Sequence, residues 1–222
     1  MFPLRDKKGF EDLVVASGAG SIVEFGSWHG RSAATFLTVA AETHREASIL
    51  CVDTWLGSEP HWRQMNSGEW GREKLFIQRG EPRILESFWE NIRAYGFESR
   101  VKIHRAPTDC AVHWLREEWP SADLYYIDAD HSYAAVRNDL KNAVALAPDS
   151  VVSGDDWTTV RKAVILENGG PLPKRALFVS PDQGTWAAIP WRSREARGVL
   201  HRRGWSRVGF WLSMVRHLLR SG

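Results

Sequence analysis

Five short runs rich in β-branched and aromatic residues, each followed by a helical pattern, constrain this chain more than any other feature. The runs are Ser21–Phe25, Ser48–Asp53, Val101–Arg105, Asp123–Asp128 and Ser150–Asp155. Helical patterns fall at Arg31–Glu42, Pro82–Tyr95, Thr108–Glu118, Tyr133–Leu146 and Trp157–Glu167. Parallel strands need a crossover between them, so this alternation predicts an α/β fold with a mostly parallel sheet and helices on both faces. In the fourth helix Val136, Leu140, Val144 and Leu146 recur near helical spacing, which puts Asn138 and Asp139 on its polar side. After Pro173 the alternation stops. Ala176–Ser180 and Thr185–Ile189 flank a Pro-Asp-Gln-Gly turn and read as a hairpin that ends the sheet antiparallel. A dinucleotide-binding fold would normally continue with another crossover helix.

Leu56–Glu81 breaks the rhythm. A connection well beyond roughly 12–15 residues is usually a functional cover or disorder, and this one reads as a lid over the strand ends with a short helix near Arg72–Gln78. The 222 residues therefore divide into a domain over 1–191, with the lid inserted at about 56–81, and a tail over 192–222. From Arg192 onward eight arginines oppose one acid, Glu195; this local +7 leaves −5 for the rest of a chain whose total is +2. Basic charge confined to a tail is no evidence for nucleic acid as a partner. In that tail Val208, Trp211, Leu212, Val215 and Leu219 share one helical face among arginines. Such a basic amphipathic helix lies on an anionic membrane surface, docks onto another subunit, or packs back on its own domain. The N-terminus lacks a signal-peptide pattern, and no run of roughly 18 apolar residues occurs. Cys51 and Cys110 sit far apart in apolar segments and read as reduced, buried thiols of a cytoplasmic protein.

The first strand runs through Val23-Glu24-Phe25-Gly26-Ser27-Trp28-His29-Gly30-Arg31-Ser32 into a helix. Gly26 permits a sharp turn without a Cβ, and Gly30 opens the helix near a ligand. The middle glycine of the pyrophosphate fingerprint is missing and Trp28 stands there, which suits a ligand without phosphates. Glu24 is placed to accept from an amino group, and Asp53, ending the second strand, to grip two ribose hydroxyls. Arg105-Ala106-Pro107-Thr108-Asp109 follows the third strand; Thr108 is a candidate helix cap, and the backbone around it a border for an adenine.

Asp128 ends the fourth strand, His131 follows three residues later, and Asp155 and Asp156 end the fifth. Ligands of open parallel sheets gather beyond the carboxyl ends of the strands. Three carboxylates crowded there would repel one another without a cation among them. Asp128, Asp155 and Asp156 are therefore the candidate ligands of a hard divalent ion, Mg²⁺ by preference. Asp130 and Asp156 also precede helices, and a cap is the reading preferred for Asp130. His131, with an ordinary pKa of about 6.5, is the candidate general base.

Together VEFGSWHGRS, CVDTW, YYIDADHSY and SGDDW, over about Ser21–Ile189, resemble the metal-dependent small-molecule O-methyltransferases, most of all the macrocin O-methyltransferase type and more distantly catechol O-methyltransferase. The resemblance implies a class I, Rossmann-like methyltransferase fold with a seven-stranded sheet and a C-terminal antiparallel hairpin. It implies S-adenosylmethionine held by Glu24, Gly26, Ser27, Gly30, Ser32, Asp53, Thr54, Trp55, Pro107, Thr108 and Asp128. It also implies a metal on Asp128, Asp155 and Asp156, with His131 as base. The expected acceptor is a hydroxyl of a small molecule, by preference a sugar or glycosylated metabolite, since Trp55, Trp62 and Trp70 fall in or beside the lid. Two alternatives stand beside this one: a non-catalytic binding module that keeps the fold, and an iron site using His131 with His29 or His61.

Overall fold

The computed structural model describes residues 2–65, 75–169 and 175–208. Its strands are β1 (Ser21–Phe25), β2 (Ser48–Asp53), β3 (Val101–Arg105), β4 (Leu124–Ile127), β5 (Val151–Gly154), β6 (Arg175–Val179), β7 (Trp186–Pro190) and β8 (Ser206–Arg207). The helices among the described residues are α1 (Lys7–Ser17), α2 (Arg31–Glu42), α3 (Glu59–Met65), α4 (Ile84–Ala94), α5 (Thr108–Glu118), α6 (Tyr133–Leu146), α7 (Trp157–Glu167) and α8 (Arg194–Arg202). One sheet runs in the order β3-β2-β1-β4-β5-β7-β6-β8. Strands β1 to β5 are mutually parallel, and β7, β6 and β8 join antiparallel. The expected hairpin is there, with one further short strand at its edge.

Burial on both faces explains why these strands read as near-continuous apolar runs rather than alternating ones. Successive side chains still point to opposite faces. Ile22, Ile49, Cys51 and Tyr126 pack with α1, α2, α4 and α8, whereas Val23, Phe25, Val52, Tyr125 and Val152 pack with α5, α6 and α7. Each such apolar side chain contributes about 1.5–3 kcal/mol on burial. Glu24, two residues after Ile22, takes the α2 face between its register partners Cys51 and Tyr126 and is fully buried.

The register Phe25↔Val52, Phe25↔Ile127, Ile127↔Gly154 and Asp53↔Arg105 brings five strand ends to one edge. Gly154 is required there: a Cβ would lie 2.4 Å from the Ile127 carbonyl oxygen and 2.8 Å from the Trp186 ring. Trp186 also donates from Nε1 to the Asp155 carbonyl oxygen (3.2 Å), which ties the β5 end to the hairpin.

Helices α1, α3 and α8 and strand β8 were not foreseen. Helix α1 starts at an Asp6 cap and ends at Gly18 in the left-handed region, and it buries Phe10, Leu13 and Val14. The segment 192–208, assigned by charge to the tail, forms α8 and β8. It is tied to α1 through buried Asp12, which accepts from Trp205 Nε1 (2.8 Å) and Arg203 Nη1 (2.7 Å). Val208, expected on a helical face, instead follows β8 and donates its N–H to the Leu177 carbonyl (2.9 Å). The rest of the expected amphipathic face, with Trp211, Leu212, Val215 and Leu219, lies outside the described residues, as do residues 72–74 of the expected lid helix; of the remainder only Leu75 is helical, and Gln78 forms a β-bridge with Glu81. Cys51 is buried as expected, but Cys110 is exposed on α5. No helix among the described residues is long and apolar enough to cross a membrane.

Candidate active site

A cleft of about 780 Å³ lies over the carboxyl ends of β2, β1, β4 and β5. At its floor β1 and β4 nearly touch. Gly26 has φ +85°, and a Cβ there would meet the Asp128 carbonyl oxygen at 2.4 Å and Ala129 Cα at 2.5 Å, so no other residue fits. Asp53 fastens the turn that follows: its Oδ2 accepts from the N–H groups of Ser27 and Trp28 (both 2.9 Å), and Oδ1 from that of Trp55 (2.7 Å). Expected to grip a ribose, this carboxylate spends three of roughly four acceptor positions on two loops. It still borders the cleft.

Among the expected cofactor residues, Gly26, Ser27, Ser32, Asp53, Thr54, Pro107, Thr108 and Asp128 line the cleft. Glu24, Gly30 and Trp55 do not. Glu24 lies one layer below, on the α2 face of the sheet. Its Oε2 accepts from the Cys51 thiol (3.5 Å) and its Oε1 is unpaired. Burial pushes its carboxyl up to about 7 against the pull of the Ser27 and Ser32 hydroxyls. Gly30 is needed for packing, since its Cβ would stand 2.8 Å from the Phe88 ring. Trp55 is core: it is 1% exposed, packs edge-on to Phe88 and donates to the Trp28 carbonyl oxygen (3.0 Å).

At the β3 end Pro107, not Thr108, takes the cap position of α5. Thr108 is the first helical residue, and its hydroxyl donates to Asp139 Oδ1 (2.6 Å). Asp139 is the residue the helical pattern placed outside; it is 1% exposed, lines the cleft, and leaves Oδ2 without a partner. Burial raises its carboxyl to about 6, opposed by the Thr108 hydrogen bond. From the lid, Gly57, Ser58 and His61 reach the cleft, and His61 stacks on Trp28 with ring centroids 4.5 Å apart. Trp62 instead donates to the Leu56 carbonyl oxygen within the lid (2.8 Å), and Trp70 lies outside the described residues.

The opposite end holds the acids. Asp128 and Asp155 converge on one cation, the guanidinium of Arg5: Nη1 lies 3.0 Å from Asp128 Oδ2, and Nη2 pairs with Asp155 Oδ2. Burial pulls the Arg5 pKa down, but Tyr126, Asp128 and Asp155 more than reverse this, and the net direction is up. Asp156 does not join them. It sits in the left-handed region at φ +53° before α7, makes no capping bond, and meets His131 Nδ1 (3.0 Å). His131 Nε2 faces Asp128 Oδ1 at 3.4 Å. Carboxylates only accept, so an imidazole between two of them is held as a double donor, the protonated form. Its pKa is accordingly raised, chiefly by the Asp128 hydrogen bond and against burial. Burial also raises the Asp128 carboxyl, with Asp155 adding to the effect and His131 and Arg5 opposing it. Asp130 accepts from the Ser132 N–H (2.8 Å), and the α6 cap expected of it belongs to Ser132, whose hydroxyl accepts from Ala135 N–H.

As a set of three carboxylates for Mg²⁺, the expected ligands are thus split by Arg5. Among the described residues, the group whose ligand atoms lie within 4.8 Å of one another is Asp128, His131 and Asp156. An imidazole nitrogen departs from the all-oxygen shell that suits Mg²⁺. For S-adenosylmethionine the fit is better. The cleft offers room, a turn with no phosphate-type glycine loop, and an unpaired buried carboxylate oxygen at the Asp139 wall.

A family described as a methyltransferase domain matches residues 23–157, more than half of the chain and all of the cleft's floor. The chain belongs to the methyltransferase domain family. It is an S-adenosylmethionine-dependent methyltransferase of class I, Rossmann-like architecture. Solved methyltransferases share its fold. CalS11, a calicheamicin methyltransferase, aligns with TM-score 0.58 at 19% identity over 83% of this chain and 77% of its own. TomG of Streptomyces achromogenes, an O-methyltransferase involved in tomaymycin synthesis, aligns with TM-score 0.55 at 15% identity over 83% and 79%. An O-methyltransferase from Bacillus cereus aligns with TM-score 0.51 at 16% identity over 82% and 80%. No curated protein matches the chain. At these identities the likeness establishes the methyltransferase's fold, and its acceptor has to be argued from the site.

Proposed function

We propose that this methyltransferase acts on a hydroxyl oxygen of a small molecule, a sugar or glycosylated metabolite by preference. The observation that carries the reading is the meeting of His131, Asp128, Asp155 and Arg5 at one end of a cleft floored by Gly26. A hydroxyl is a weak nucleophile and needs a group to take its proton and charge to stabilise the developing alkoxide. An apo form of CalS11 bears the description TDP-rhamnose 3'-O-methyltransferase (TM-score 0.53, 17% identity), which favours a sugar for this chain too.

S-adenosylmethionine, when bound, supplies a methyl group on a sulfonium. Ser27, Ser32, Thr54 and Asp53 are the residues to hold its amino-acid and ribose parts, with Glu24 acting from beneath through the two serines. Pro107, Thr108 and the unpaired Asp139 oxygen suit an adenine and its exocyclic amino group. At the acceptor end His131 first loses its Nδ1 proton to solvent as it gives up the Asp156 contact, the more exposed of its two, and the neutral imidazole then takes the acceptor proton on Nδ1 while Asp128 holds Nε2–H. Positioning of this kind is worth roughly 7–11 kcal/mol in favourable cases. Asp128, His131 and Asp156 are the residues that would hold a divalent ion, which acidifies a coordinated hydroxyl; no step above depends on it.

The test is calorimetry with S-adenosylhomocysteine, followed by transfer of a labelled methyl from S-adenosylmethionine to a panel of nucleotide sugars and glycosylated metabolites. Binding together with label on an acceptor oxygen is the expected result. Binding without transfer to any hydroxyl compound would favour a binding module that keeps the fold.

A further inference from the structure

The acceptor end of the cleft contains a positive charge that the chain itself supplies. Arg5 belongs to an N-terminal arm, residues 2–6, that crosses the mouth of the site and is fastened along its length. Phe2 N–H donates to buried Asn91 (2.9 Å), and Tyr95 OH donates to the Phe2 carbonyl oxygen (2.9 Å). Arg31 Nε donates to the Pro3 carbonyl oxygen (2.9 Å), and Arg5 N–H to Thr35 Oγ1 (3.0 Å). The Phe2 ring stacks on His29 at 4.9 Å, and Asp6 caps α1. The backbone of Arg5 is therefore held from both sides. Its two terminal nitrogens reach two carboxylates that come from different strands, β4 and β5. A planar guanidinium matches this demand: it is always charged, and its fork can serve two acceptors at once.

We propose that Arg5 is the resident cation between Asp128 and Asp155, a positioning residue that binds the two strand tips together and closes that seat to a divalent ion. The inference concerns the acceptor end of the proposed transfer site and rests on that reading for its functional meaning. Two consequences follow. Asp155 is not a metal ligand in the resting protein, because its facing oxygen is already paired. An ion, if one binds, is left with Asp128 Oδ1, His131 and Asp156. Freeing the Asp128–Asp155 seat should then create a stronger, oxygen-rich site. If Arg5 holds the seat about nine-tenths of the time, its removal tightens the apparent affinity of the competing ion about ten-fold.

The experiment is titration of Mn²⁺, followed by the loss of the free-ion magnetic resonance signal, on the full chain and on Arg5→Met. S-adenosylhomocysteine binding is measured on the same samples. Arg5→Met is expected to bind Mn²⁺ about ten-fold more tightly than the wild type, and Arg5→Met combined with Asp155→Asn to lose that gain. Equal affinity of wild type and Arg5→Met would overturn the proposal. Should Arg5→Met fail to fold, Asp155→Asn alone decides: unchanged Mn²⁺ affinity agrees with Arg5 in the seat, and a weakened one overturns it. Failure to bind S-adenosylhomocysteine would count against the transfer reading and leaves the Mn²⁺ comparison intact, so the two can fail separately.

Discussion

Replacing Glu24 by Gln tests whether this buried acid is a ligand-gripping carboxylate or a charge stored beneath the cleft. The carboxyl is fully buried with one unpaired oxygen, and its pKa moves from an ordinary 4.5 to about 7. Below pH 4.5 the group is protonated in both folded and unfolded chains and contributes no pH dependence. Between 4.5 and 7 the unfolded chain releases a proton that the folded chain keeps, so stability falls as pH rises. Above 7 both forms are ionised and the full penalty stands. At about 1.36 kcal/mol for each tenfold change in proton affinity, it amounts to about 3 kcal/mol. Glu24→Gln keeps the shape and removes the titration. In urea unfolding it should match the wild type near pH 4 and exceed its stability by up to about 3 kcal/mol near pH 8. Parallel stability curves for the two proteins from pH 5 to 8 would refute the reasoning. The same variant should bind S-adenosylhomocysteine only a few-fold more weakly, because Glu24 lies beneath the cleft and does not line it.

His131→Ala and Asp155→Ala should each abolish methyl transfer while calorimetry shows S-adenosylhomocysteine binding nearly intact; near-full transfer by either would remove it from the machinery. With His131 raised above its ordinary 6.5, a base at this position works only in its deprotonated form. The transfer rate should therefore rise with pH through a midpoint above that value, and a rate that does not change with pH across that range would refute the assignment. Asp139→Leu should weaken S-adenosylhomocysteine binding about ten-fold, the scale of the roughly 1.5 kcal/mol or more carried by a hydrogen bond to a charged acceptor, as read by calorimetry. Trp205→Ala should cost about 3–5 kcal/mol in thermal or urea unfolding, because it empties a core position and leaves Asp12 with fewer partners. A chain ending at Val208 keeps that network. If the basic segment 209–222 binds anionic membranes, only the full-length chain should float with liposomes.

The sheet was legible because parallel strands buried on both faces carry a strong signal. The helices at Arg31–Glu42, Thr108–Glu118, Tyr133–Leu146 and Trp157–Glu167 end where their patterns end. Helix α1 carried the weaker signal. Its buried positions include Asp12, whose place inside is decided by Arg203 and Trp205 nearly two hundred residues away. A charged residue satisfied by distant partners looks like a surface residue in any local window. The same holds for Asp139, whose burial depends on Thr108 across the α5–α6 contact. Charge counting separated 192–208 from the domain for a related reason: Arg203 raises the local charge although its counter-charges, Glu11 and Asp12, lie in α1.

At the site, strand-end position located Asp53, Asp128 and Asp155 on the right edge but could not say what each would face. Asp53 turned to backbone N–H groups because the Ser27-Trp28 turn, with Trp28 at φ +48°, points its amides at the β2 end. For the acids of β4 and β5, crowding pointed to a cation among three carboxylates, and the structure places the Arg5 guanidinium between two of them, Asp128 and Asp155. The source of the charge was open, because a cation placed by tertiary structure leaves no mark near the residues it neutralises. Arg5 lies over a hundred residues upstream of both partners and belongs to no motif. The chemistry at a strand tip can thus be inferred from the residues on it only up to the sign of what it must meet. Whether that partner is an ion taken from solution or a side chain built into the fold decides how the site responds to chelation. In this methyltransferase the arm that ends in α1 brings the charge with the polypeptide, so the pairing of Asp128 with Asp155 should survive removal of every free divalent ion.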